Sequence, residues 1–408
     1  MPTRSRCRVP APSLDIFFVH RHQCAFDVHV ERFRASLSLP SAQQPHPALL
    51  DAMYLMACYF SQMPAVQEGH YLQRALTGIS SSLQDSDRLI QIAQASCLIA
   101  IYFFSRGRTL EGYYHSSTAA RLAVSLGLHQ IKSEEWYRLQ FDAASSVAQP
   151  AFLAFKSSLQ LPAPKDSVEY TERVAAFWQV LQVDRAWSVA SGLPAALPDD
   201  DSSPRARVET TWPAAIGDPQ VCTYSRSQWY TQLTNRCAQD GPEYIQPPNF
   251  MVNTKLNPYL RAKATTLFEK SYRLASSACS DSAVIHGRRL TTITETMDND
   301  DLFWTQHNNL DCELIQFGAQ MPQLTSSVYQ DQLSRNDLEL VSIHTLMHTS
   351  TIHLHRDLLV LPTSYHRCVG AANAVTGMIK ELNEGDYPFL CPIISVRSAC
   401  CSEIRAVC

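Results

Sequence analysis

Residues 89–130 constrain the fold of this chain more than any other segment. They contain two helix-forming stretches joined by the polar, glycine-containing sequence SRGR at positions 105–108. Apolar and small residues recur at spacings of three and four in the first stretch, which predicts a helix with one face in a core. Gly127 follows the second stretch, at a position where glycine is typical of the left-handed residue after a helix. We therefore predict two helices that the hinge folds back on each other.

Composition supports a helical, globular protein. Of the 408 residues, 45% are hydrophobic and 18% are charged, as in folded proteins. The 13 glycines are roughly half the usual share, which disfavours a turn-rich all-β fold. A formal net charge of -4 gives the chain no general attraction to nucleic acid. Apolar runs such as residues 97–104 fall short of the ~20 residues that span a bilayer, so no membrane contact is predicted.

The hydrophobic pattern predicts an all-α fold with one long domain over residues 14–390. The basic residues 1–13 are expected to be disordered, and residues 391–408 to form an irregular, misread tail. A long irregular insertion rich in Asp, Ser, Pro and Gln is expected around 198–255. The predicted helices cover about 48–61, 68–83, 88–104, 109–126, 168–191, 259–278, 337–358 and 370–382. The helix over 168–191 is apolar around most of its circumference, so we expect it to be central.

One charged pair, Asp184-Arg185, falls inside this most apolar helix. An isolated buried charge would cost several kcal/mol, so both side chains should have partners. Arg121, which lies on another apolar helix, is the partner that we predict for Asp184. The three residues form either a buried polar network that fixes helix register or part of a regulatory ligand pocket.

The candidate metal ligands are His344 and His348, which stand four residues apart and share one helix face. The alternative is that both are half-buried polar residues of a helix, because no HExxH motif accompanies them. A second loose group, His20, His22 and His29 around Cys24, lacks the spacing of a zinc site. The 13 cysteines contain no CxxC pair, and no P-loop, GxGxxG or GxSxG motif occurs. We therefore predict no catalytic residues.

Several short blocks occur in an order that resembles the fungal-specific transcription factor domain, the middle homology region of fungal binuclear zinc-cluster regulators. The blocks are LDIFF at 14–18, FRASL at 33–37, HPALLDA at 46–52, RGRTLEGY at 106–113, LGLH at 126–129, GLP at 192–194 and ETTWP at 209–213. The resemblance is strongest over residues 14–213. The residues that carry it most clearly are Arg106, Gly107, Glu111, Gly112, Gly127, Gly192, Pro194 and Trp212.

This resemblance implies an all-α regulatory domain that acts in the nucleus and controls transcription by RNA polymerase II. It implies transcriptional regulators or coactivators as partners, and it leaves room for a homodimer. In this family a basic cluster of six cysteines holds two zinc ions and reads DNA, whereas only Cys7 precedes the domain here. We therefore expect DNA contact only through a module missing from this sequence, which is either a truncated gene product or a regulator without that module. No cofactor is expected; zinc would come only with that cluster.

Two other functions remain open from the sequence. A helical adaptor that pairs with intact regulators would need no DNA-reading module of its own. A metal-dependent enzyme would use His344 and His348 as ligands.

Overall fold

The computed structural model describes residues 13–132, 161–197, 206–214, 216, 258–280, 297–324 and 335–393. All regular structure within these ranges is helical, which confirms the predicted all-α class. The α-helices are α1 Leu14–His20, α2 Val30–Ser36, α3 Pro47–Phe60, α4 Ala65–Asp85, α5 Leu89–Ser105, α6 Thr109–Ser125, α7 Ser167–Ser191, α8 Pro258–Ser280, α9 Met297–Gln320, α10 Arg335–His355 and α11 Pro362–Lys380. Short 3-10 turns cover Arg21–Cys24, Leu128–Gln130, Arg356–Leu358 and Glu384–Phe389.

The helix pair α5 and α6 packs as the hinge predicts. Gly107 lies between them with a φ of +73°, a left-handed conformation that costs glycine little. Gly112 lies in the first turns of α6, where an added Cβ would stand 2.7 Å from the ring of Phe104. The missing side chain therefore allows α6 to press directly against the end of α5. Gly127 takes the left-handed position after α6 with a φ of +71°, as predicted.

Helix α7 is the centre of the fold. Almost every residue from Tyr170 to Ser188 is buried, and the helix packs against α5, α6 and α8. Asp166 caps its start by accepting a hydrogen bond of 2.7 Å from the backbone N–H of Glu169. Gly192 ends it with a φ of +69°. The predicted central position of this helix is confirmed.

The later helices form a second layer that joins α7 through α8. Helix α8 packs against α7 and α10, and α10 also contacts α9 and α11. The sequence analysis made no prediction for α9, and its predicted start of α11 at Gly370 is wrong, because this helix begins at Pro362. Most of the insertion predicted at 198–255 lies outside the described residues, as do residues 1–12 and 394–408. Among the described residues, no helix is both long and apolar enough to cross a membrane.

Candidate functional site

A cavity of about 930 Å³ opens beside the hinge between α5 and α6. This volume lies within the range of small-molecule sites, roughly 300–1,000 Å³. Its walls come from parts of the chain that are far apart in sequence: the end of α3, the end of α5, α7 and the segment after α11. The aromatic side chains that line it are Tyr59, Phe60, Phe104, Trp187 and Tyr387.

The inner wall of the cavity is rigid. Phe104 of α5 and Trp187 of α7 stack with ring centroids 4.7 Å apart and an angle of 4° between the planes. Gly112 lies against Phe104, so α6 supports this ring from behind. Three tightly packed helices therefore fix the two rings, and the glycine that carried the family resemblance positions one wall of the cavity.

Arg106 brings the main positive charge to the cavity. Its guanidinium pairs with the carboxylate of Glu68, which also accepts a hydrogen bond of 2.8 Å from the Tyr102 hydroxyl. The same guanidinium lies 5.1 Å from the ring centroid of Tyr59. The side chain of Glu68 is 3% exposed and that of Arg106 is 42% exposed, so the pair links the protein interior to the cavity surface. Burial and the hydrogen bond to Glu68 raise the pKa of Tyr102.

The 3-10 turn Glu384–Phe389, here named the closing segment, covers one side of the cavity. Its backbone carbonyls accept hydrogen bonds from the side chains of Gln23, 2.8 Å to Pro388, and His22, 2.9 Å to Phe389. The ring of His20 lies between those of Phe60 and Phe389, with both centroid distances at 4.6 Å. The N-terminal histidines therefore hold the closing segment in place, a role that sequence reasoning missed.

Asp184 and Arg185 both have partners in the structure, but the partner of Asp184 is not Arg121 as predicted. The Asp184 carboxylate accepts backbone N–H bonds of 2.8 Å from Ala196 and 2.9 Å from Leu197, and Arg185 pairs with Glu269 at 3.3 Å. Arg121 is exposed on α6. The predicted pairing of Arg121 with Asp184 is therefore wrong, because the chain that follows the Gly192 turn and Pro194 delivers its own amides to the carboxylate. Burial is the main cause of the raised pKa of Asp184.

The remaining resemblance residues hold chain segments together. Trp212 stacks on Trp178 of α7 at 4.5 Å, and the Trp178 indole donates a bond of 2.7 Å to the Thr211 carbonyl. Glu111 pairs with Arg108 on the surface of the hinge. Of the residues that carried the resemblance, only Arg106 lines the cavity.

His344 and His348 lie next to each other on α10, with ring centroids 6.4 Å apart. His344 uses Nε2 in a contact of 2.9 Å with the Pro322 carbonyl, which leaves that nitrogen unsuited to a metal. Burial, with smaller effects of His344 and Arg367, lowers the pKa of His348 to about 4. Among the described residues, no group of three or more potential ligands could hold a metal ion.

A serine, a histidine and an aspartate meet between α9, α10 and α11. His355 contacts the Ser364 hydroxyl through Nδ1 and Asp311 through Nε2, both at 3.1 Å. These residue types also occur in hydrolytic triads. Here Ser364 is only 3% exposed, and Arg367 pairs with Asp311, so the group fixes three helices and does not present a nucleophile.

Comparison with protein families gives a match to the first half of the chain. Residues 14–205 match the family described as the fungal specific transcription factor domain. No curated protein and no solved structure matches the chain significantly. The matched range spans α1 to α7 and includes the hinge, Glu68 and the rigid wall of the cavity, whereas the closing segment lies beyond it. Residues 14–205, just under half of the chain, are therefore similar to the fungal specific transcription factor domain, a family that implies a non-enzymatic, all-α regulator of transcription.

Proposed function

We propose that this chain is the regulatory and interaction part of a fungal RNA polymerase II transcription factor that acts in the nucleus. The observation that supports this most directly is the position of the cavity between the matched residues and the segment that follows α11. Its rigid wall and Arg106 belong to residues 14–205, and its closing segment comes from the last described residues. Such an arrangement couples the matched domain to the later helices, as regulation of one region by another requires.

In this proposal the helical body does not read DNA. The net charge of -4 gives it no general attraction to phosphate groups, so we assign DNA reading to a zinc-cluster module. The partners of the body are then coactivators, other regulators or a second copy. It needs no cofactor of its own, and metal analysis of the purified protein checks this. Stoichiometric zinc that is lost in His344→Ala would contradict it.

A reporter assay tests the regulatory function. The full chain is fused to a heterologous DNA-binding domain, and transcription is measured from a promoter that carries the matching sites. We expect output that differs from that of the DNA-binding domain alone, because the helical body recruits or blocks the transcription machinery. The control is a fusion to an unrelated helical protein of similar size. Equal output from both fusions would contradict the proposal.

A helical adaptor that pairs with intact regulators is the second candidate. It is favoured by two exposed apolar side chains one turn apart on α6, Leu110 at 77% and Tyr114 at 65% exposure. Such residues are typical of contact surfaces when they lie together. DNA binding by a complex of the chain with a DNA-binding regulator separates the candidates. An adaptor should bind DNA only as part of the complex. Leu110→Ser should abolish formation of that complex, whereas the control variant Val360→Ser, at another exposed position, should leave it intact.

A further inference from the structure

The side of α6 that faces away from α5 and α7 carries a row of accessible side chains. The side that packs on those two helices consists of small buried residues. On the opposite side, four positions follow one another at spacings of four, three and four residues, which keeps them on one helix face. We name this row the outer stripe; its members are Leu110, Tyr114, Ser117 and Arg121.

The first half of the outer stripe is apolar and exposed. Leu110 is 77% exposed and Tyr114 is 65% exposed, and the two side chains stand about one turn apart. Burial of both against a partner removes apolar surface from water, which is the main favourable term in most protein association. Ser117, the next position, is small and half-buried, so the backbone of a second helix can approach α6 closely there. The spacing of the stripe is the one by which two helices pack along each other.

The second half of the outer stripe carries a positive charge. The side chain of Arg121 is exposed, and no carboxylate pairs with it among the described residues. Glu111, the acidic residue of α6, pairs instead with Arg108 at the start of the helix. The stripe is therefore apolar at one end and cationic at the other. A carboxylate opposite Arg121 is favoured, and a second cation there is repelled.

The same charges distinguish another protein from a second copy of this chain. Two copies that pack side by side in parallel through the outer stripe would bring their Arg121 side chains together, and like charges repel. In an antiparallel pair, Arg121 would meet Leu110 of the other copy and find no acid, because the stripe contains no carboxylate. A partner that supplies its own acid satisfies both halves of the stripe, whereas a second copy does not.

We propose that the outer stripe docks an acidic amphipathic helix of another protein. Apolar residues of that helix pack on Leu110 and Tyr114, and one of its carboxylates pairs with Arg121. Seven residues of α6, about 10 Å along the helix axis, separate Tyr114 from Arg121, so the acid lies about two turns from the apolar contact. The proposal rests on the adaptor function above, for which it names the surface and the chemistry of the partner, but the docking is measurable on the purified chain alone.

Two designed peptides test this chemistry by fluorescence anisotropy with the full chain. Both contain three heptads with leucine at the a and d positions, and their e and g positions are all glutamate in one peptide and all lysine in the other. Like charges at e and g keep each peptide from pairing with itself. We expect the acidic peptide to bind about fivefold more tightly, and the difference to shrink in high salt.

The net charge of the whole chain makes this comparison stringent. At -4 it attracts the basic peptide, so a preference for the acidic peptide has to come from a local site. Equal affinity for the two peptides, a preference for the basic one, or no binding of the acidic one would overturn the proposal.

Variants assign the binding surface. Leu110→Ser should weaken the acidic peptide by about tenfold, because it removes a leucine from the apolar contact. Arg121→Gln should remove the preference for the acidic peptide, whereas Lys380→Gln, which changes the net charge equally at an exposed position of α11, should retain it. All three side chains are exposed, so the variants should keep the fold, which urea denaturation checks. Undiminished binding in Leu110→Ser, or a preference that survives Arg121→Gln, would contradict the assigned surface.

Sedimentation of the chain alone tests a second copy as the occupant. We expect Leu110→Ser to leave the oligomeric state unchanged. A homodimer that this variant dissociates would place a second copy on the outer stripe and overturn the proposal. Intact binding of the acidic peptide without any complex with a DNA-binding regulator would contradict only the adaptor function.

Discussion

Helices α5 and α10 are both buried, yet they differ in how many polar side chains they bury. The buried part of α5 is apolar apart from Gln94 and Ser96. The buried residues of α10 include a carboxylate and many hydroxyls and imidazoles: Glu339, Ser342, His344, Thr345, Thr349, Ser350, Thr351, His353 and His355. The first helix belongs to the matched domain and the second lies beyond it. The fold therefore combines an ordinary hydrophobic core with an interior held by polar contacts.

Internal hydrogen bonds explain why α10 tolerates burial. The hydroxyls of Thr345, Thr349 and Ser350 each donate to the backbone carbonyl four residues earlier, at 2.7 to 2.8 Å. Glu339 pairs with Arg261 of α8, which also pairs with Asp27. Buried polar groups with complete partners cost little, but each becomes expensive once its partner is removed. The two regions should therefore respond differently to matched changes.

Removal of Arg261 should have the largest effect. Arg261→Met leaves the buried carboxylate of Glu339 and the half-buried carboxylate of Asp27 without their cation, and we expect a loss of about 3–5 kcal/mol in the free energy of unfolding. Urea denaturation measures it. Arg32→Met is the control, because the Arg32–Asp166 pair is 43% and 46% exposed and should cost under about 1 kcal/mol. Equal losses in both variants would remove the distinction between the polar interior and the surface.

The amount of apolar surface that a helix buries also explains which helices could be predicted from the sequence. Apolar residues at helical spacing predicted α5 and α7 to within one residue of their observed bounds. Among its described side chains, helix α9 buries a narrow stripe of His307, Leu310, Leu314 and Phe317 between Asp, Asn and Gln residues, so its hydrophobic periodicity is weak. The start of α11 had a usable signal, because Pro362 occupies the first turn as Pro47 does in α3.

The cavity was less predictable than the helices. Arg106 was recognised from its sequence block, but its partner Glu68 and the wall residue Trp187 lie 38 and 81 positions away. The closing segment is still further along the chain, and only tertiary packing brings it to His20 and His22. Single-sequence patterns report local periodicity, so they do not show which distant segments enclose a space.

Close packing in the apolar region can be tested at Gly112. Gly112→Ala places a Cβ against the Phe104 ring, and we expect a loss of about 2 kcal/mol, measured by urea denaturation. Gly377→Ala in α11 is the matched control, because nothing lies within 4 Å of the added atom. It should gain about 0.5–1 kcal/mol, since alanine is the better helix former. If Gly112→Ala leaves the free energy of unfolding unchanged, the helices around Phe104 can move apart to accommodate the added Cβ, which would contradict the close packing of the inner wall.

The polar region should respond to acid through His348. Its pKa is about 4 in the folded chain, below the ordinary histidine value of 6.5, so the unfolded chain binds a proton more readily. Lowering the pH through this window therefore favours unfolding, by about 1 kcal/mol from this residue between pH 7 and 5.5. His348→Gln should remove that part of the slope in urea denaturation series, whereas the exposed His366→Gln should keep it. An unchanged slope in His348→Gln would contradict the assignment.

The smallest expected effect comes from a direct comparison of α5 and α10, in which one fully buried serine of each helix is replaced. The Ser350 hydroxyl donates to the Leu346 carbonyl at 2.7 Å, whereas that of Ser96 has no partner among the described residues. Ser350→Ala should lose about 0.5–1 kcal/mol with its hydrogen bond, as measured by urea denaturation. Ser96→Ala removes an unsatisfied group and should be neutral or gain up to about 1 kcal/mol. Opposite signs in the two helices would show that partnered hydroxyls, and not polarity itself, decide whether a buried helix is stable; equal losses would contradict this.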